Sequence, residues 1–279
     1  MTRRWLITGC SSGLGRALAR AAADAGDRVL ATARRPEALT ELRECHPDTV
    51  ETCALDVRDP DACAAAVQVA VDRFGGVDVL VNNAGCGTLG AVEELTDDEI
   101  EAQLQTLLLG PWRMTRLVLP LMRAQGSGHL LMVSSTTGRS AMPGLGAYVA
   151  SKFALEGMTE TLALETAGTG IRVTLLEAGV FATNYGASLA DAATRLPAYR
   201  PVVDPIGALI RGEVPAGFTL SEPEEFADTV LALVNDAAQP PLRLPLGAGA
   251  WGILTEAADR DRAAMAELAV KWGVALPAR

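Results

Sequence analysis

Two residues that can move a proton stand one helical turn apart in the segment YVASK, Tyr148 and Lys152. The chain has only three tyrosines and two lysines, so this pairing is unusual. On a helix, residues at i and i+4 lie on one face, about 6 Å apart. A phenol, whose ordinary pKa is about 10, becomes more acidic beside a cation. The spacing therefore predicts a tyrosine that exchanges protons because Lys152 lowers its pKa. A surface pair without function is the alternative.

A hydroxyl that can bind a substrate oxygen next to this tyrosine precedes it in the chain. Ser135 ends the apolar segment LLMVSS, and ligands bind at the carboxyl ends of strands in open α/β sheets. A serine there can donate to a carbonyl oxygen while Tyr148 delivers the proton. Ser134 is an equal candidate unless the spacing to Tyr148 decides, and a loop serine without function is the alternative.

The segment TGCSSGLG follows the first strand-like run and places three glycines at a strand-to-helix corner. Glycines let backbone N–H groups and the positive end of a helix approach a pyrophosphate. The position predicts a dinucleotide site, and an ordinary tight turn is the alternative. The predicted binding residues are Gly9, Ser11, Ser12, Gly13, Leu14 and Gly15.

The end of the second strand selects the nucleotide. An NAD-binding unit usually has a carboxylate there, which accepts from the ribose 2′-hydroxyl. This chain has Ala33 followed by Arg34 and Arg35, and a guanidinium can bind a 2′-phosphate in a bidentate manner. The prediction is NADP(H) in preference to NAD(H), with Arg34 as the better candidate. A solvated arginine pair is the alternative.

Apolar runs rich in β-branched residues alternate with longer alanine- and leucine-rich stretches of helical period. Several strands are apolar throughout, as expected of parallel strands covered on both faces. The pattern predicts one α/β domain over residues 1–279, with a Rossmann-type doubly wound parallel sheet. Strands are predicted near 4–8, 28–33, 49–55, 77–82, 129–134, 171–177 and 242–246, and helices near 13–25, 36–44, 60–74, 97–125, 147–167 and 222–236.

The regularity fails between about 184 and 221, where prolines and glycines interrupt any long helix. A segment of this length is predicted to be a substrate-binding loop or lid. A last helix is predicted near 255–271, within a C-terminal clamp over 255–279. Apolar residues around the expected cleft favour a medium-sized apolar ketone over a sugar, and a simple core cover is the alternative. They are Leu89, Met142, Leu145, Tyr185, Leu189, Leu196 and Tyr199.

Composition excludes several function classes. The formal net charge is −10 and no cluster of lysines and arginines follows a phosphate backbone, so we expect no nucleic-acid partner. No stretch approaches the roughly 20 apolar residues of a membrane span, and the first strand begins too early for a signal peptide. We expect no membrane partner and a cytoplasmic location. Five cysteines without CxxC spacing predict no metal site and no disulfides, but buried or half-buried thiols.

Taken in order, these motifs resemble the classical short-chain dehydrogenase/reductase family. The overall segment order, with KFALEG (152–157) and PLRLPLG (241–247), resembles its hydroxysteroid-dehydrogenase-like branch. The resemblance spans about residues 4–246 and rests on TGCSSGLG (8–15), LDV (55–57), NNAG (82–85), Ser135, YVASK (148–152) and AGVFAT (178–183).

The resemblance implies roles for residues that the chemistry alone does not single out. It implies that Ser135, Tyr148 and Lys152 are catalytic and that Tyr148 and Lys152 also contact the cofactor. It implies a homodimer or homotetramer, formed through the helices near 97–125 and 147–167. The further cofactor contacts that it implies are Asp56 and Val57 at the adenine, Asn82, Ala84 and Gly85 along the floor, and Val180 and Thr183 at the nicotinamide carboxamide.

Two positions depart from the family pattern. Ala178 stands where the family usually has proline, which removes some backbone rigidity. Leu107 stands where it has a catalytic asparagine, and leucine can form hydrogen bonds only through its main chain. The prediction is an NADP(H)-dependent ketoreductase that acts on a small-molecule carbonyl or alcohol, at a normal or reduced rate. The alternatives are an NADP-binding regulatory protein with little turnover, and an epimerase, cyclase or dehydratase on the same fold.

Overall fold

A computed structural model describes residues 2–213, 217 and 219–275 of the predicted domain 1–279. Seven parallel strands form one sheet, in the order β3-β2-β1-β4-β6-β7-β9. Each lies within two residues of its predicted bounds, and the order runs outward from β1 in both directions, so the doubly wound α/β fold is confirmed. These strands are β1 (Arg4–Ile7), β2 (Arg28–Ala33), β3 (Val50–Ala54), β4 (Val79–Asn82), β6 (Gly128–Ser135), β7 (Ile171–Ala178) and β9 (Arg243–Leu246). Two short strands, β5 (Thr88–Leu89) and β8 (Ala190–Asp191), pair with each other.

Helices cover both faces of the sheet. One core cluster lies between the sheet and α1 and α9, and the other lies between the sheet and α3, α5 and α6. The helices are α1 (Gly13–Asp24), α2 (Thr40–Cys45), α3 (Pro60–Phe74), α4 (Asp97–Leu104), α5 (Gly110–Gln125), α6 (Gly146–Glu165), α7 (Tyr185–Ser188), α8 (Arg200–Ile210), α9 (Pro223–Asn235) and α10 (Ala250–Trp272).

Helix α3 shows how local chemistry sets the bounds of these elements. The Asp59 carboxylate accepts hydrogen bonds from the backbone N–H groups of Asp61 and Ala62, at 2.9 and 3.2 Å. Pro60 occupies the first helical turn, where its missing N–H has no cost. Gly75 ends the helix in the left-handed region, with φ of 80°. These signals are local, so the sequence predicts this helix correctly.

The helix predicted near 97–125 is confirmed in extent but contains an interruption that the sequence did not predict. Helices α4 and α5 are separated by one π-helical turn, Gln105–Leu109. Turns of this type are frequently found at functional sites. Leu107, in the middle of the turn, is 1% exposed, and one of its methyl carbons lies 3.7 Å from where a Cβ on Gly85 would be. The residue at the family's asparagine position therefore packs against the segment predicted to form the cofactor floor.

The segment 184–221 contains more regular structure than its prolines predict. Helix α8 has 11 residues, with Pro201 in its first turn and Pro205 in its interior. The buried Val203 packs in an apolar cluster with Leu89 and Leu145, and this tertiary contact offsets the proline penalty. Strand β8 ties the segment to β5. Residues 214–216 and 218, which include Pro215, lie outside the described residues, and the lid role stays a prediction.

The last helix begins earlier than predicted, at Ala250, directly after Gly249 with φ of 74°. It contacts β9 and the turn after β6, and four of its residues are buried. Residues 276–279 of the predicted clamp lie outside the described residues, so the clamp stays a prediction. Among the described helices, none is long and apolar enough to cross a membrane.

Candidate active site

The sheet brings most of the predicted site residues to one edge. In a parallel sheet the carboxyl ends of all strands lie on the same side, and ligands bind there, next to the point where strand order reverses. Here β1 and β4 are neighbours at that point. Gly9 follows β1, Arg34 follows β2, Asn82 ends β4, and Ser135 at the end of β6 pairs with Ala178 of β7.

Ser135, Tyr148 and Lys152 come together above this edge. Lys152 is 5% exposed, and its ammonium donates a hydrogen bond to the carbonyl of Val133, at 2.7 Å. The same ammonium lies 5.6 Å from the centre of the Tyr148 ring. The Ser135 hydroxyl oxygen accepts from the backbone N–H of Thr137, at 3.2 Å.

Strand alternation decides between the two serines. Ser134 is 2% exposed, and its hydroxyl has no hydrogen-bond partner among the described residues. It lies against Gly138 and Glu156, away from the tyrosine. Since successive side chains of a strand point to opposite faces, Ser135 is the serine next to Tyr148.

Burial sets the acidity of this group. Burial raises the pKa of Tyr148 to about 12, and interactions with the hydroxyls of Ser135 and Tyr185 lower it only in part. Burial also lowers the pKa of Lys152 to about 8. The prediction that Lys152 makes the phenol more acidic than usual is therefore wrong for this structure, because desolvation of the buried phenol exceeds the lowering by its neighbouring hydroxyls. At neutral pH the phenol is protonated and the amine is mostly charged, which makes Tyr148 a proton donor.

The glycine turn is held against the NNAG segment by hydrogen bonds. Gly9 and Gly13 have positive φ, 75° and 58°, and a Cβ on Gly9 would lie 2.8 Å from the Cα of Ala84. The Asn83 amide donates to the carbonyls of Thr8 and Gly9, at 2.8 and 3.1 Å. The Thr8 hydroxyl accepts from the N–H groups of Asn83 and Ala84, at 2.9 and 3.0 Å. The prediction omitted Thr8 and Asn83, although both stand inside the quoted motifs.

The N-terminus of α1 suits an anion. Ser12 is the N-cap residue, but its side chain makes no capping hydrogen bond within the described chain, and the first turn has no acidic residue. Ser11 and Ser12 are exposed, and Leu14 is half-buried. The free N–H groups and the positive helix end can therefore bind the pyrophosphate of a dinucleotide.

The end of β3 holds an ion pair that the sequence prediction missed. The Asp56 carboxylate accepts from Arg58 Nε and Nη2, at 3.0 and 2.6 Å. Arg58 lowers the pKa of Asp56 through these bonds, and the charge of Arg34 adds to the effect. Arg34 and Arg35 are both exposed. A second guanidinium thus lies near the position where a 2′-phosphate is predicted, and only its place two residues after Asp56 signalled it.

Two predicted cofactor residues pack into the core. Val57 is buried, and its side chain fills the space where Gly110 lacks a Cβ. The buried Asn82 amide donates to the Thr115 hydroxyl, at 3.3 Å, and to the sulfur of Met132, at 3.2 Å. The Asn82 side chain thereby positions the floor, where Ala84 and Gly85 follow.

Val180 and Thr183 lie at the far end of the glycine turn. Val180 donates its N–H to the carbonyl of Ala248, at 3.1 Å. The Thr183 side chain lies 3.4 Å from where a Cβ on Gly13 would be. Between them and the sheet, Ala178 pairs with Ser135 on one side and Leu246 on the other. This double pairing restrains the backbone that proline restrains in the family pattern.

Apolar side chains surround Tyr148. Six of the seven residues predicted to flank the cleft pack in one cluster with it, and Leu196 does not. The cluster members predicted from sequence are Leu89, Met142, Leu145, Tyr185, Leu189 and Tyr199.

The described cysteines are all free. Cys10 and Cys63 are buried and Cys53 and Cys86 half-buried, but Cys45 is exposed, which contradicts the prediction for that thiol. Among the described residues, no group of three histidine, cysteine or acidic side chains could hold a metal ion.

Comparison with known proteins agrees with this geometry. Residues 3–194 match the family model described as short chain dehydrogenase. Oxidoreductase BOA17 of Botryotinia fuckeliana is 39% identical over 260 residues, 93% of this chain and 94% of that protein. Human 17-beta-hydroxysteroid dehydrogenase type 1 is 42% identical over 183 residues, 62% of this chain and 55% of that enzyme.

Two solved structures are similar along most of the chain. A short-chain dehydrogenase from Streptomyces avermitilis has a TM-score of 0.90 and 40% identity, covering 98% of both chains. A metagenomic short-chain oxidoreductase, solved in complex with NADP, has a TM-score of 0.69 and 28% identity, covering 87% of this chain and 95% of that one.

The substitution Gly9→Ala tests whether the glycine turn must touch the floor. We expect it to lower the free energy of unfolding and to weaken NADPH binding at least tenfold, because the new methyl group meets the backbone of Ala84. Gly26→Ala is the matched control, since φ is 81° there but nothing lies within 4 Å of the new Cβ. Fluorescence titration with NADPH and urea denaturation measure both effects. Equal NADPH affinity in the two variants would contradict the expectation.

Proposed function

This chain belongs to the short-chain dehydrogenase/reductase family, and we propose that it is an NADP(H)-dependent ketoreductase acting on a medium-sized apolar substrate. The observation that carries the proposal is the meeting of Ser135, Tyr148 and Lys152 beside the glycine turn, with the phenol protonated at neutral pH. General acid catalysis of this kind contributes about 10²–10⁴-fold to a rate.

Each side chain has a distinct role in the proposed reaction. The Ser135 hydroxyl binds and polarises the carbonyl oxygen of the substrate. Tyr148 gives its phenolic proton to that oxygen, so an O–H bond forms on the substrate and a phenolate remains. The Lys152 ammonium stabilises the phenolate. The bound dinucleotide supplies the hydride. In the reverse direction Tyr148 accepts the proton from a secondary alcohol.

The dinucleotide would lie along the carboxyl edge of the sheet. The N-terminus of α1 would hold its pyrophosphate, and Arg34 would bind the 2′-phosphate, with Arg35 and Arg58 nearby. Asp56 and Val57 would lie at the adenine, Ala84 and Gly85 along the floor, and Val180 and Thr183 at the carboxamide. The NADP complex of the similar metagenomic enzyme supports the choice of nucleotide.

The apolar cluster around Tyr148 supports a substrate of medium size with little polarity. The similarity to a hydroxysteroid dehydrogenase points in the same direction, toward a polycyclic ketone or alcohol.

A carbonyl panel tests the proposal. The probes are trans-1-decalone, 2-decanone and D-xylose with NADPH, followed at the absorbance of the reduced nicotinamide. We expect turnover of the apolar ketones above that of the sugar, and Tyr148→Phe to lower kcat/KM by about 10²–10⁴-fold. Thr229→Val is the control, because it removes an exposed hydroxyl on α9 outside the site. A protein that binds NADPH but reduces no carbonyl would favour the regulatory alternative that Leu107 raises.

Replacement of Arg34 tests the cofactor preference. We expect Arg34→Ala to raise the Kd for NADPH by about 10–100-fold and to leave NADH nearly unchanged, because a charged hydrogen-bond pair contributes about 1.5–3 kcal/mol. Arg34→Asp should reverse the preference. Arg35→Ala is the matched control and should have the smaller effect. If the parent protein uses NADPH and NADH equally well, the proposal that Arg34 binds the 2′-phosphate is wrong.

Exposed apolar residues on α5 and α6 support a homodimer through these helices. Trp112 and Phe153 are each 46% exposed. Between the helices runs a groove lined by Trp112, Leu119, Met158 and Leu162. Exposed apolar surface of this kind commonly marks an interface.

Trp112→Glu should convert the dimer to a monomer in size-exclusion chromatography with light scattering, because a carboxylate resists burial in an apolar contact. The control is Trp251→Glu on α10, where the tryptophan is 66% exposed. A monomeric parent protein would remove the proposal.

A further inference from the structure

The hydroxyl of Tyr185 is a buried polar group without a partner. Its oxygen makes no hydrogen bond to any described residue. The remaining tyrosine outside the catalytic group, Tyr199, has its hydroxyl bonded to Glu93. Leaving a buried donor unsatisfied is costly, so such a group in a cleft is expected to meet a ligand.

The position of Tyr185 directs this hydroxyl into the active site. Its ring centre lies 6.0 Å from that of Tyr148, with the two planes at 56°. The hydroxyl occupies the space beside Gly87, where any Cβ would collide with it. Gly87 follows the cofactor floor by two residues. The Tyr185 hydroxyl, from the segment after β7, thus lies against the segment after β4.

The two hydroxyls lie close enough to affect each other's pKa, although they do not form a hydrogen bond of normal geometry. The Tyr185 hydroxyl lowers the pKa of Tyr148, while burial and the proximity of Tyr148 raise the pKa of Tyr185 well above its ordinary value. Tyr185 is therefore a hydrogen-bond donor at all physiological pH values. A substrate oxygen bound to the Tyr148 hydroxyl would therefore lie near the Tyr185 hydroxyl as well.

We propose that Tyr185 donates a third hydrogen bond to the reacting oxygen of the substrate, beside Ser135 and Tyr148. This inference rests on the proposed ketoreductase function. A ketone oxygen has two lone pairs, which Ser135 and Tyr148 occupy. As hydride arrives at the carbon, the oxygen gains negative charge and a third lone pair, and Tyr185 can bind this pair. The third bond thus stabilises the transition state more than the ground state.

The absence of a side chain at Gly87 leaves room for the Tyr185 hydroxyl. A larger residue there would push the Tyr185 hydroxyl away from the oxygen, since a Cβ on Gly87 would lie 2.3 Å from that hydroxyl and 2.8 Å from a methyl carbon of Leu189. Gly87 has no positive φ, so an alanine is compatible with its backbone. Gly87→Ala therefore tests only whether the added methyl group displaces the Tyr185 hydroxyl.

Tyr185→Phe keeps the ring and removes the hydroxyl. With trans-1-decalone and NADPH we expect kcat to fall about 10–100-fold and KM to change less than threefold, because the lost bond forms only as charge develops. Thr229→Val, which removes an exposed hydroxyl on α9 outside the site, is the control and should stay within about twofold of the parent. The Kd for NADPH and the thermal midpoint should not change in either variant, which separates this role from a structural one.

Gly87→Ala tests the same role of the Tyr185 hydroxyl independently. It should lower kcat in the parent by a similar factor but have a much smaller effect in the Tyr185→Phe background, because the group that it displaces is already gone. Additive losses in the double variant would overturn the proposal.

The outcomes separate this inference from the proposed function. If Tyr148→Phe abolishes reduction while Tyr185→Phe keeps the parent kcat, or loses only in KM, the third donor is wrong and the ketoreductase stands. If the parent reduces no ketone, or Tyr148→Phe reduces ketones like the parent, both proposals fall.

Discussion

The hydrogen bond from the Lys152 ammonium to the Val133 carbonyl connects the two elements on which the site depends. Lys152 is on α6 and Val133 is two residues before Ser135 on β6. A buried ammonium is costly unless it is hydrogen-bonded, so this one bond restricts how α6 can lie along the strand. Tyr148, one turn earlier on the helix, is thereby brought to the same sheet edge as Ser135. Burial of the pair also decides its chemistry, because it keeps the phenol protonated.

On the cofactor side of the site, hydrogen bonds likewise fix the position of one segment, the glycine turn, against another, the NNAG segment. The glycine turn approaches the NNAG segment closely because Gly9 has no side chain, and the Asn83 amide closes the remaining gap with two hydrogen bonds. The N-terminus of α1 is left without a side-chain cap within the described chain. Rigidity of the turn and availability of its N–H groups therefore arise together, and both favour a bound pyrophosphate.

The segment after β7 completes the site from above. Its short strand pairs with β5 next to the cofactor floor, and α8 packs Val203 into the apolar cluster around Tyr148. The segment thus brings apolar surface and one polar group, the Tyr185 hydroxyl, to the same place. The combination suits a substrate whose single oxygen must be bound within an otherwise apolar cleft.

The sequence by itself determined the elements whose causes are local. Strand periods, the Asp59 cap and the glycine turn depend on neighbouring residues, and the seven strands and α3 were predicted correctly for that reason. The Tyr148 and Lys152 spacing placed both side chains on one helix face. Only the tertiary structure decided the π-helical turn at Leu107 and the formation of α8 despite Pro205. It also reversed the expected acidity of Tyr148 and left the Tyr185 hydroxyl unpartnered in the described chain. These properties depend on burial by segments far apart along the chain, and spacing within one segment does not determine which distant side chains exclude water from a group.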